Sequence, residues 1–426
     1  MRVAYITAGA AGMFCGSCMR DNTLVAALGK LGHDALLVPT YTPIRTDDPD
    51  VSVGRVFYGG ISVYLEQKSA LFRKLPRWAT RWLDHPALIR QAAKRAVGVD
   101  YADLAAMAES MLAGDHGRQR HELCELVTWL KAEVRPEVVV LTNALLSGLV
   151  PTVAKELGVP VLTTLQGDDI FLDALPTDAR RRCVEAIRRN DAHTAGYLAT
   201  SRSYADHMAG YLGIDRAKVD VVRPGINLAG HAGPTARPDR PPTLGYFARI
   251  CPEKGFQNAV AAFLRLKQLP GMATARFRAA GWLGPQHRAF FTEQAGRMTA
   301  ADFDYVECPD HASKVWFFQS VDVLTVPTDY HEPKGLYLLE AWANGVPVVQ
   351  PAHGSFPELI DATGGGLLVP SGDHDALARE IAALLADPAR RQQMGQRANA
   401  VVRERFSAAA MAEATIGVLN KYVRPA

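Results

Sequence analysis

The residues best suited to chemistry lie in the second half of the chain, beginning with two basic side chains in one predicted loop. In the segment GYFARICPEKG, Arg249 and Lys254 follow a predicted strand that ends near Phe247. A bidentate guanidinium and a compact ammonium charge just past a strand end suit a diphosphate group. A solvated basic loop is an equally good interpretation of this segment alone, since Arg and Lys are common on protein surfaces.

A second segment, TDYHEPKGLYLLEAWANGVPVV, carries two glutamates around a predicted helix start. Gly335 ends the loop and Leu336 begins the helix, so the backbone N–H groups there suit phosphate. Glu332 precedes the helix, and Glu340 lies about one and a half turns inside it. Carboxylates accept hydrogen bonds from sugar hydroxyls, and Glu340 would be costly to bury on this apolar helix without such partners. The alternative for Glu340 is an ordinary solvent-facing helix residue.

A third segment, AHGSFPELI, places a glycine turn at Gly354 before a further helix with an early proline. Glu358 falls in the first turn of that helix. Both residues are candidates for contact with the same ligand. A well-capped helix accounts for Glu358 equally well, because carboxylates are favourable near helix N-termini.

Short apolar runs that alternate with helical patterns must position these residues, and they predict an α/β protein with two doubly wound, Rossmann-like sheets. The apolar run 2–7, a glycine-bearing turn, a helical pattern over 21–31 and the run 35–39 form the first βαβ unit. Later strands are predicted at 138–142, 161–164, 197–200, 220–222, 244–247, 276–279, 303–306, 321–326, 346–350 and 366–369. Ligands of such folds bind beyond the carboxyl ends of the strands, so the cleft between two facing domains is the expected site.

The predicted domain organisation has two large domains of similar size. The first covers 1–227 and includes a helical insertion at about 68–131. A linker follows at 228–242, where LAGHAGPTARPDRPP is rich in Pro and Gly and lacks periodicity. The second domain covers 243–405, and a C-terminal helical segment, 406–426, is expected to pack back on the first.

Composition excludes several classes of protein. Of the 426 residues, 48% are hydrophobic and 21% are charged, which is ordinary globular usage. Lys and Arg number 47 and Asp and Glu 44, so the net charge of +3 gives no argument for a nucleic-acid partner. No apolar run approaches the ~18 residues of a membrane-spanning helix. With no signal-peptide pattern and six scattered Cys, a reduced cytoplasmic protein is expected.

The stretch from Gly245 to Phe406 resembles the donor domain of the GT-B glycosyltransferases, specifically glycosyltransferase family 4, the group 1 glycosyl transferases. The resemblance rests on Glu332 and Glu340, which are separated by seven residues, within the frame EPKGLYLLEAWANGVPVV. It continues with GGGLLVPSGDHDALA, LLADPARRQQMG and VRERFS in that order. It extends over nearly the whole chain, is strongest in the C-terminal half, and implies two Rossmann-like domains facing an interdomain cleft.

The resemblance implies a retaining transfer of sugar from a nucleotide diphosphate-sugar to an acceptor that the sequence does not identify: a glycan, a lipid or a small metabolite. Arg249 and Lys254 would bind the diphosphate, and Glu340 the ribose hydroxyls. Glu332, with the amides at the helix start, would hold the donor sugar and the β-phosphate. The leaving phosphate would receive the acceptor's proton, so no dedicated base, metal or other cofactor is expected.

The first domain resembles the family's acceptor side, with departures. Gly16 matches the second glycine of a pair that the family carries after its first strand, whereas Cys15 replaces the first. Gln166 stands where many relatives have His, and Gln cannot carry a proton. Asp168 and Asp169 follow a strand end and are candidates for contact with acceptor hydroxyls, with turn formation as the alternative.

Two other departures concern single motifs. The sequence CGSC at 15–18 is typical of redox and metal motifs. A single pair of cysteines is only half a zinc site. The favoured interpretation is therefore a reduced loop that lines the cleft. Lys334 stands where relatives usually have Phe. We expect its side chain to be exposed; the alternative is a cation beside the donor sugar that favours an acidic or phosphorylated partner.

The segment LFRKLPRWATRWL at 71–83 combines basic residues with Trp at helical spacing. It has three interpretations: peripheral contact with an anionic membrane at its inner face, a cap over the acceptor cleft, or ordinary packing. Two alternatives to the transferase also stay open. One is a sugar-nucleotide epimerase on the same fold, against which Gln166 argues, and the other is a non-catalytic nucleotide-sugar-binding protein.

Overall fold

The structure is a computed structural model that describes residues 1–9, 15–54, 56–57, 101–234 and 240–423. Its contacts divide the chain into two compact units. Unit 1 comprises Met1–Arg223 together with Met411–Ala426, and unit 2 comprises Pro224–Ala410. The segment 71–83 lies outside the described residues. Within the described ranges, no helix is both long enough and apolar enough to cross a bilayer.

Unit 1 is built on a six-stranded parallel sheet with strand order β2-β1-β3-β4-β5-β6. The residues of β1 and β3 are almost all buried, as expected for strands covered on both faces by helices. In register, Val3 of β1 pairs with Val138 on one side and Ala35 on the other. The strands are β1 Arg2–Thr7, β2 Asp34–Pro39, β3 Val138–Leu141, β4 Val161–Leu165, β5 Gly196–Ala199 and β6 Val219–Val221.

Seven α-helices accompany this sheet in the described part of unit 1: α1 Gly16–Lys30, α2 Tyr101–Leu112, α3 Arg120–Trp129, α4 Val150–Leu157, α5 Asp168–Asp173, α6 Thr177–Asn190 and α7 Arg202–Leu212. Helix α1 begins five residues before the predicted start at position 21, because the carbonyl of Cys15 already accepts from the amide of Met19 at 3.0 Å. Helices α2 and α3, from the predicted insertion, contribute Ala105, Leu112 and Leu126 to the core of the unit.

Unit 2 contains a second six-stranded parallel sheet with strand order β12-β11-β10-β7-β8-β9. The strands are β7 Thr243–Phe247, β8 Arg276–Ala280, β9 Phe303–Val306, β10 Val323–Leu324, β11 Val348–Pro351 and β12 Gly366–Val369. The strand order reverses between β7 and β10, which lie side by side. In open α/β sheets ligands bind at such a switch point, outside the carboxyl ends of the strands. The loops after β7 and β10 therefore define the functional edge of unit 2.

Eight α-helices are described around and after this sheet: α8 Phe256–Leu266, α9 Arg288–Ala295, α10 His311–Gln319, α11 Leu336–Ala343, α12 Phe356–Thr363, α13 His374–Ala386, α14 Pro388–Arg405 and α15 Ala408–Leu419. Side chains at their N-termini fix several of the boundaries. The carboxylate of Asp310 accepts from the amide of Ser313 before α10, and that of Asp373 from the amide of Ala376 before α13, both at 2.8 Å.

The segment predicted as a linker is placed differently by the structure. The boundary between the units falls after Arg223, not at 227–228, and residues 228–234 pack within unit 2. His231 is buried, its carbonyl accepts from Arg403, and a β-carbon at Gly345 would meet Pro234. The lack of periodicity indicated that this segment forms no regular helix or strand. It did not exclude packing of the segment against unit 2, because prolines and glycines also fit tightly against helix ends.

The C-terminal segment returns to unit 1. Residues from Met411 onward group with the first unit, although α15 begins in the second. Near its end, Lys421 pairs with the carboxylate of Asp220 at 2.5 Å, and the hydroxyl of Tyr422 donates to the same carboxylate at 3.1 Å. The ring of Tyr422 also fills the space beside Gly196 in β5. Unit 1 is therefore built from two separate parts of the chain.

Candidate functional site

The loop after β7 is held in place by its own strand and by the neighbouring loop. The hydroxyl of Tyr246 in β7 lies within hydrogen-bonding distance of two carbonyl oxygens, that of Arg249 at 3.2 Å and that of Lys254 at 3.1 Å. Gly255 closes the loop with φ +69°, and a β-carbon there would lie 1.8 Å from the carbonyl oxygen of Pro327. Only glycine permits this approach. The two predicted cations are thereby brought beside the loop that follows β10.

Glu332 is the centre of the site in unit 2. Its Oε2 accepts from the Nζ of Lys254 at 2.7 Å and from the hydroxyls of Tyr330 at 2.8 Å and Tyr337 at 3.1 Å. The Nζ of Lys254 also bonds to the hydroxyl of Tyr330 and lies 4.7 Å from the centre of its ring. The carboxylate is only 3% exposed, so this pairing takes place away from water.

These contacts fix the charge of the site. Burial alone would raise the pKa of Glu332, but the charge and hydrogen bond of Lys254, with a further contribution from Lys334, lower it to about 2. Burial and the Glu332 charge raise the pKa values of the Tyr330 and Tyr337 hydroxyls well above their usual value. At neutral pH the site thus combines a carboxylate with neutral tyrosine donors.

The other oxygen of Glu332 is directed to the loop before α11. Its Oε1 accepts from the backbone amides of Lys334 at 3.3 Å and Gly335 at 3.2 Å. Gly335 caps α11 with φ +59°, and Leu336 begins the helix and is partly exposed. The side chain of Lys334 is 7% exposed, so the prediction of an exposed side chain was wrong. Lys334 is buried because the loop that contains it folds inward around the carboxylate of Glu332.

The turn before α12 supports Glu332 from its backbone side. A β-carbon at Gly354, where φ is +58°, would lie 2.6 Å from the amide nitrogen of Glu332. The amide of Ser355 donates to the carbonyl of Glu332 at 2.9 Å, and a ring nitrogen of His353 lies 2.8 Å from the carbonyl of Thr328. Glu358 occupies the first turn of α12 and is half-buried. Gly354 is thus a close-contact residue of the loop.

Glu340 lies in a different environment. Its Oε1 accepts from the Nζ of Lys314 in α10 at 2.7 Å, and both side chains are 7% exposed. One turn further along, Asn344 donates to the carbonyl of Glu340 at 2.9 Å and contacts the Nδ1 of His231 at 2.7 Å. Burial, together with the charge of Lys314, lowers the pKa of His231 to about 3, so this ring is neutral. Glu340 is therefore a buried, ion-paired carboxylate and not a solvent-facing one.

In unit 1, Gln166 and Asp168 follow β4 and belong to a buried polar network. The side-chain amide of Gln166 donates to the carbonyl of Thr142 at 2.9 Å and to the carboxylate of Asp21 at 3.2 Å. The two oxygens of Asp168 accept from the backbone amides of Ala144 at 2.5 Å and Gln166 at 2.9 Å. Burial raises the pKa of Asp168 to about 6, against the effect of these bonds. Asp168 thus fixes the loop by binding its backbone.

Asp169 forms a second polar group with residues of α7. One of its oxygens accepts from the hydroxyl of Tyr204 at 2.6 Å, and the other lies 3.0 Å from the Nε2 of His207. The Tyr204 hydroxyl also accepts from the amide of Gly167 at 2.8 Å. Gly16, the remaining residue predicted on this side, is the first residue of α1.

The structure brings together four of the eight residues predicted in unit 2 and adds others. Lys254, Glu332, Gly335 and Gly354 lie in direct contact, whereas Glu340 contacts Lys314 instead. Sequence reasoning missed three partners: Tyr330, Tyr337 and Lys314. The two tyrosines lie within five residues of Glu332, and this closeness in sequence could have identified them as its partners. Nothing in the sequence linked Lys314 to Glu340, because the two lie on separate helices.

Two family descriptions match this chain. Residues 231–401 match Glycosyl transferases group 1, and residues 22–225 match Glycosyl transferase 4-like domain. The chain is also 30% identical to the 2-deoxystreptamine N-acetyl-D-glucosaminyltransferase of Streptomyces fradiae. That similarity spans 58% of this chain and 61% of the relative, which is less than two thirds of its length.

Solved structures share the fold over the whole chain. The sucrose-phosphate synthase of Thermosynechococcus elongatus aligns with a TM-score of 0.69 at 17% identity and covers 99% of both chains. Anabaena HepE, solved in complex with UDP, aligns with a TM-score of 0.67 at 14% identity, covering 99% of this chain and 100% of that one. At these identities the similarity identifies the fold.

Proposed function

This chain belongs to the GT-B glycosyltransferases of family 4, and from that premise we propose that it transfers a sugar from a nucleoside diphosphate-sugar to an acceptor hydroxyl with retention of configuration. The similar structure of Anabaena HepE contains UDP, which supports a nucleoside diphosphate donor. The acceptor is a glycan, a lipid or a small metabolite. The protein acts in the cytoplasm, with contact to the inner face of the membrane through 71–83 as an additional proposal.

One observation carries this proposal: the buried contact between Lys254 and Glu332 at the switch point of the second sheet. A cation, a carboxylate and the amide of Gly335 meet there within hydrogen-bonding distance. A nucleotide-sugar presents a diphosphate and sugar hydroxyls side by side. Cations and amides suit the diphosphate, and a carboxylate suits the hydroxyls.

Each residue then has a role in the transfer. Arg249 and Lys254 bind the diphosphate and stabilise the charge that develops as the bond from the anomeric carbon to the phosphate oxygen breaks. Glu332 orients the sugar hydroxyls, and the amides at Gly335 and Leu336 add donors. Glu340 and two residues that follow it in the sequence, Gly354 and Glu358, complete the donor side. Catalysis depends on positioning and charge stabilisation.

The acceptor oxygen forms the new bond on the face of the sugar from which the phosphate departs. Its proton passes to the departing phosphate oxygen, so the step needs neither a side-chain base nor a metal ion. On the acceptor side we propose contacts through Gly16, Gln166 and Asp169. Asp168 holds the intervening loop through the amides that it binds. Measuring sugar transfer in the presence of a metal chelator tests the proposal that the step needs no metal ion.

The donor site is tested with a panel of nucleoside diphosphates and nucleotide-sugars in a thermal-shift experiment. A ligand at ~100 times its Kd stabilises the protein by about 2.7 kcal/mol. We expect one nucleoside diphosphate to raise the melting temperature of the wild type and Lys254→Met to remove that increase. The matched control is Lys267→Met, since Lys267 is also an ion-paired lysine of unit 2 and bonds to Asp302 at 2.8 Å.

Four results would contradict the proposal. If no ligand of the panel stabilises the wild type at millimolar concentration, the donor assignment is wrong. If Lys254→Met keeps the full shift, the diphosphate is bound elsewhere. Incubation of the enzyme with the stabilising nucleotide-sugar alone separates the alternatives: an epimerase converts the sugar without an acceptor, whereas a transferase requires one. A binding protein gives the thermal shift and no turnover with any acceptor.

A further inference from the structure

The first helix begins with two cysteines three residues apart. Cys15 is the N-cap of α1, with φ −115° and ψ +121°, and Cys18 lies in the first turn. Side chains at the N-cap and three residues later meet at the end of a helix, as in the capping box. The spacing and the backbone conformation therefore place both sulfur atoms at the same helix N-terminus.

The two thiols are in contact and differ in accessibility. Both cysteines are free, and their side chains are hydrogen-bonded to each other. Cys15 is partly exposed, whereas Cys18 is 2% exposed and its sulfur lies 3.9 Å from the hydroxyl oxygen of Thr7. The hydrogen bond that the Cys18 thiol donates to the Cys15 sulfur, together with burial, raises the pKa of the Cys18 thiol well above its usual value. One accessible and one buried thiol are thus paired.

We propose that Cys15 and Cys18 form a dithiol site that undergoes thiol–disulfide exchange with a disulfide substrate, either a small disulfide or a protein disulfide. Cys15 is the attacking residue, because it is the accessible one and a helix N-terminus favours the thiolate. Cys18 is the resolving residue. The site is additional to the proposed transfer of sugar and does not depend on it.

The exchange is balanced in two steps. The Cys15 thiolate attacks one sulfur of the disulfide substrate, forming a mixed disulfide and releasing the first thiolate. Cys18 then loses its proton to solvent and attacks the Cys15 sulfur, which forms the intramolecular disulfide and releases the second thiolate. The two cysteines are oxidised by two electrons, and the substrate disulfide is reduced to two thiols.

The other cysteines supply an internal comparison. Cys124 in α3 is exposed, Cys183 and Cys251 are buried, and Cys308 is partly buried. Each of these four is distant in sequence from the others. Cys124 therefore measures how an accessible thiol without a neighbouring cysteine reacts. It will stop at the mixed disulfide, while the pair at the start of α1 proceeds to the intramolecular product.

The pair adjoins the polar network of unit 1. Between the two cysteines, the hydroxyl of Ser17 donates to the carbonyl of Gln166 at 3.4 Å. Two residues after Cys18, Arg20 donates to Asp21, whose carboxylate also receives the amide of Gln166. These bonds connect the turn that contains the two cysteines to the loop that contains Gln166.

The test uses the full chain, folded and reduced, in two arms: glutathione disulfide in the first and oxidised thioredoxin in the second. After an acid quench and alkylation, tryptic residues 3–20 contain both cysteines and no others. We expect this peptide to lose two hydrogens in at least one arm, and the arm identifies the source of the disulfide. Circular dichroism checks that the variants are folded.

The variants assign the roles. We expect Cys18→Ser to retain a stable mixed disulfide on Cys15, and Cys15→Ser to leave Cys18 reduced while the wild type is fully oxidised. Cys124→Ser will behave as the wild type does. The proposal is overturned if peptide 3–20 stays reduced in both arms while Cys124 reacts, or if the wild type stops at the mixed disulfide. Equal reactivity of Cys15 and Cys18 in the single variants would overturn the assignment of roles.

Discussion

Among single residues, Glu332 combines deep burial with a full charge. Its folded pKa of about 2 lies below the ordinary value of 4.5. A carboxylate whose pKa is lowered by folding contributes stability above its unfolded pKa, and that contribution is lost as the pH falls from about 4.5 to about 2. The shift corresponds to about 3 kcal/mol.

We therefore predict that Glu332→Gln makes unfolding less dependent on pH. Urea unfolding at pH 7 and at pH 3 measures the effect. The wild type should lose about 2–3 kcal/mol more stability than the variant over that interval, because Gln has no proton to take up. Parallel pH profiles for the two proteins would show that Glu332 is not held in its charged form.

The ion pair between Lys314 and Glu340 gives a second prediction. Both groups are buried, so Lys314→Met would leave the Glu340 carboxylate without its cation. We expect a loss of about 3 kcal/mol in the free energy of unfolding, because an unpaired buried charge is costly. Urea unfolding at neutral pH provides the measurement.

The double variant Lys314→Met, Glu340→Leu is the control for that experiment. Removing both charges avoids the unpaired carboxylate, so its stability should return toward that of the wild type. If Glu340 binds the ribose, the double variant will be stable and still fail to bind the nucleoside diphosphate. A single variant as stable as the wild type would mean that the pair has little energetic importance.

The sequence singled out individual residues better than their partners. Glu332 and Lys254 were both predicted to lie in the donor site, since each stands in a motif after a strand. Their direct contact was not foreseen, because both were assigned to a ligand. Lys334 was expected on the surface, since a charged side chain is normally exposed, and the local fold around Glu332 reversed that expectation.

At the scale of elements, the loop between β7 and α8 depends on one glycine. Gly255 has φ +69° and would place a β-carbon against the carbonyl of Pro327, whereas Gly271 has φ +78° and nothing within 4 Å. We predict that Gly271→Ala lowers the free energy of unfolding by about 1 kcal/mol, because alanine is disfavoured at a positive φ. Gly255→Ala should cost about 2 kcal/mol more, because the added carbon overlaps the backbone.

Chemical denaturation and nucleotide binding together measure this prediction. Gly255→Ala should also weaken binding of the nucleoside diphosphate, since the displaced loop contains Lys254. Gly271→Ala serves as the matched control, with the same substitution and a similar φ in the same unit, and should bind normally. Equal losses of stability in the two variants would rule out the close approach of the two loops.

Strands and helices were predicted well where apolar runs are continuous. The strands of both sheets fall within a few residues of the predicted positions, since buried parallel strands are almost entirely apolar. Strand β10 is shorter than the predicted 321–326, and α1 starts earlier than expected. Such boundaries depend on capping and on neighbouring loops, which apolar periodicity does not register.

At the scale of the whole molecule, unit 1 is completed by residues after Met411. The hydroxyl of Tyr422 bonds to Asp220 in β6, and its ring packs beside Gly196 in β5. We predict that Tyr422→Ala destabilises unit 1 by about 1–2 kcal/mol, through the lost hydrogen bond and the lost packing.

Hydrogen exchange measured by mass spectrometry locates that effect. Amides of β5 and β6 should exchange faster in Tyr422→Ala, while those of β7 and β10 keep the rate of the wild type. The thermal shift produced by the nucleoside diphosphate should also persist. Faster exchange throughout unit 2 would show that the C-terminal segment supports both units, contrary to the division described above.

The return of the chain to unit 1 has a consequence for biosynthesis. The ribosome makes about 5–20 residues per second, and domains usually fold in order as they leave it. Here the unit that is made first lacks residues 411–423 until all of unit 2 has been translated. Until then the nascent first unit lacks the contacts of Lys421 and Tyr422 with Asp220 and Gly196, so the edge around β5 and β6 is completed only after unit 2 has been made.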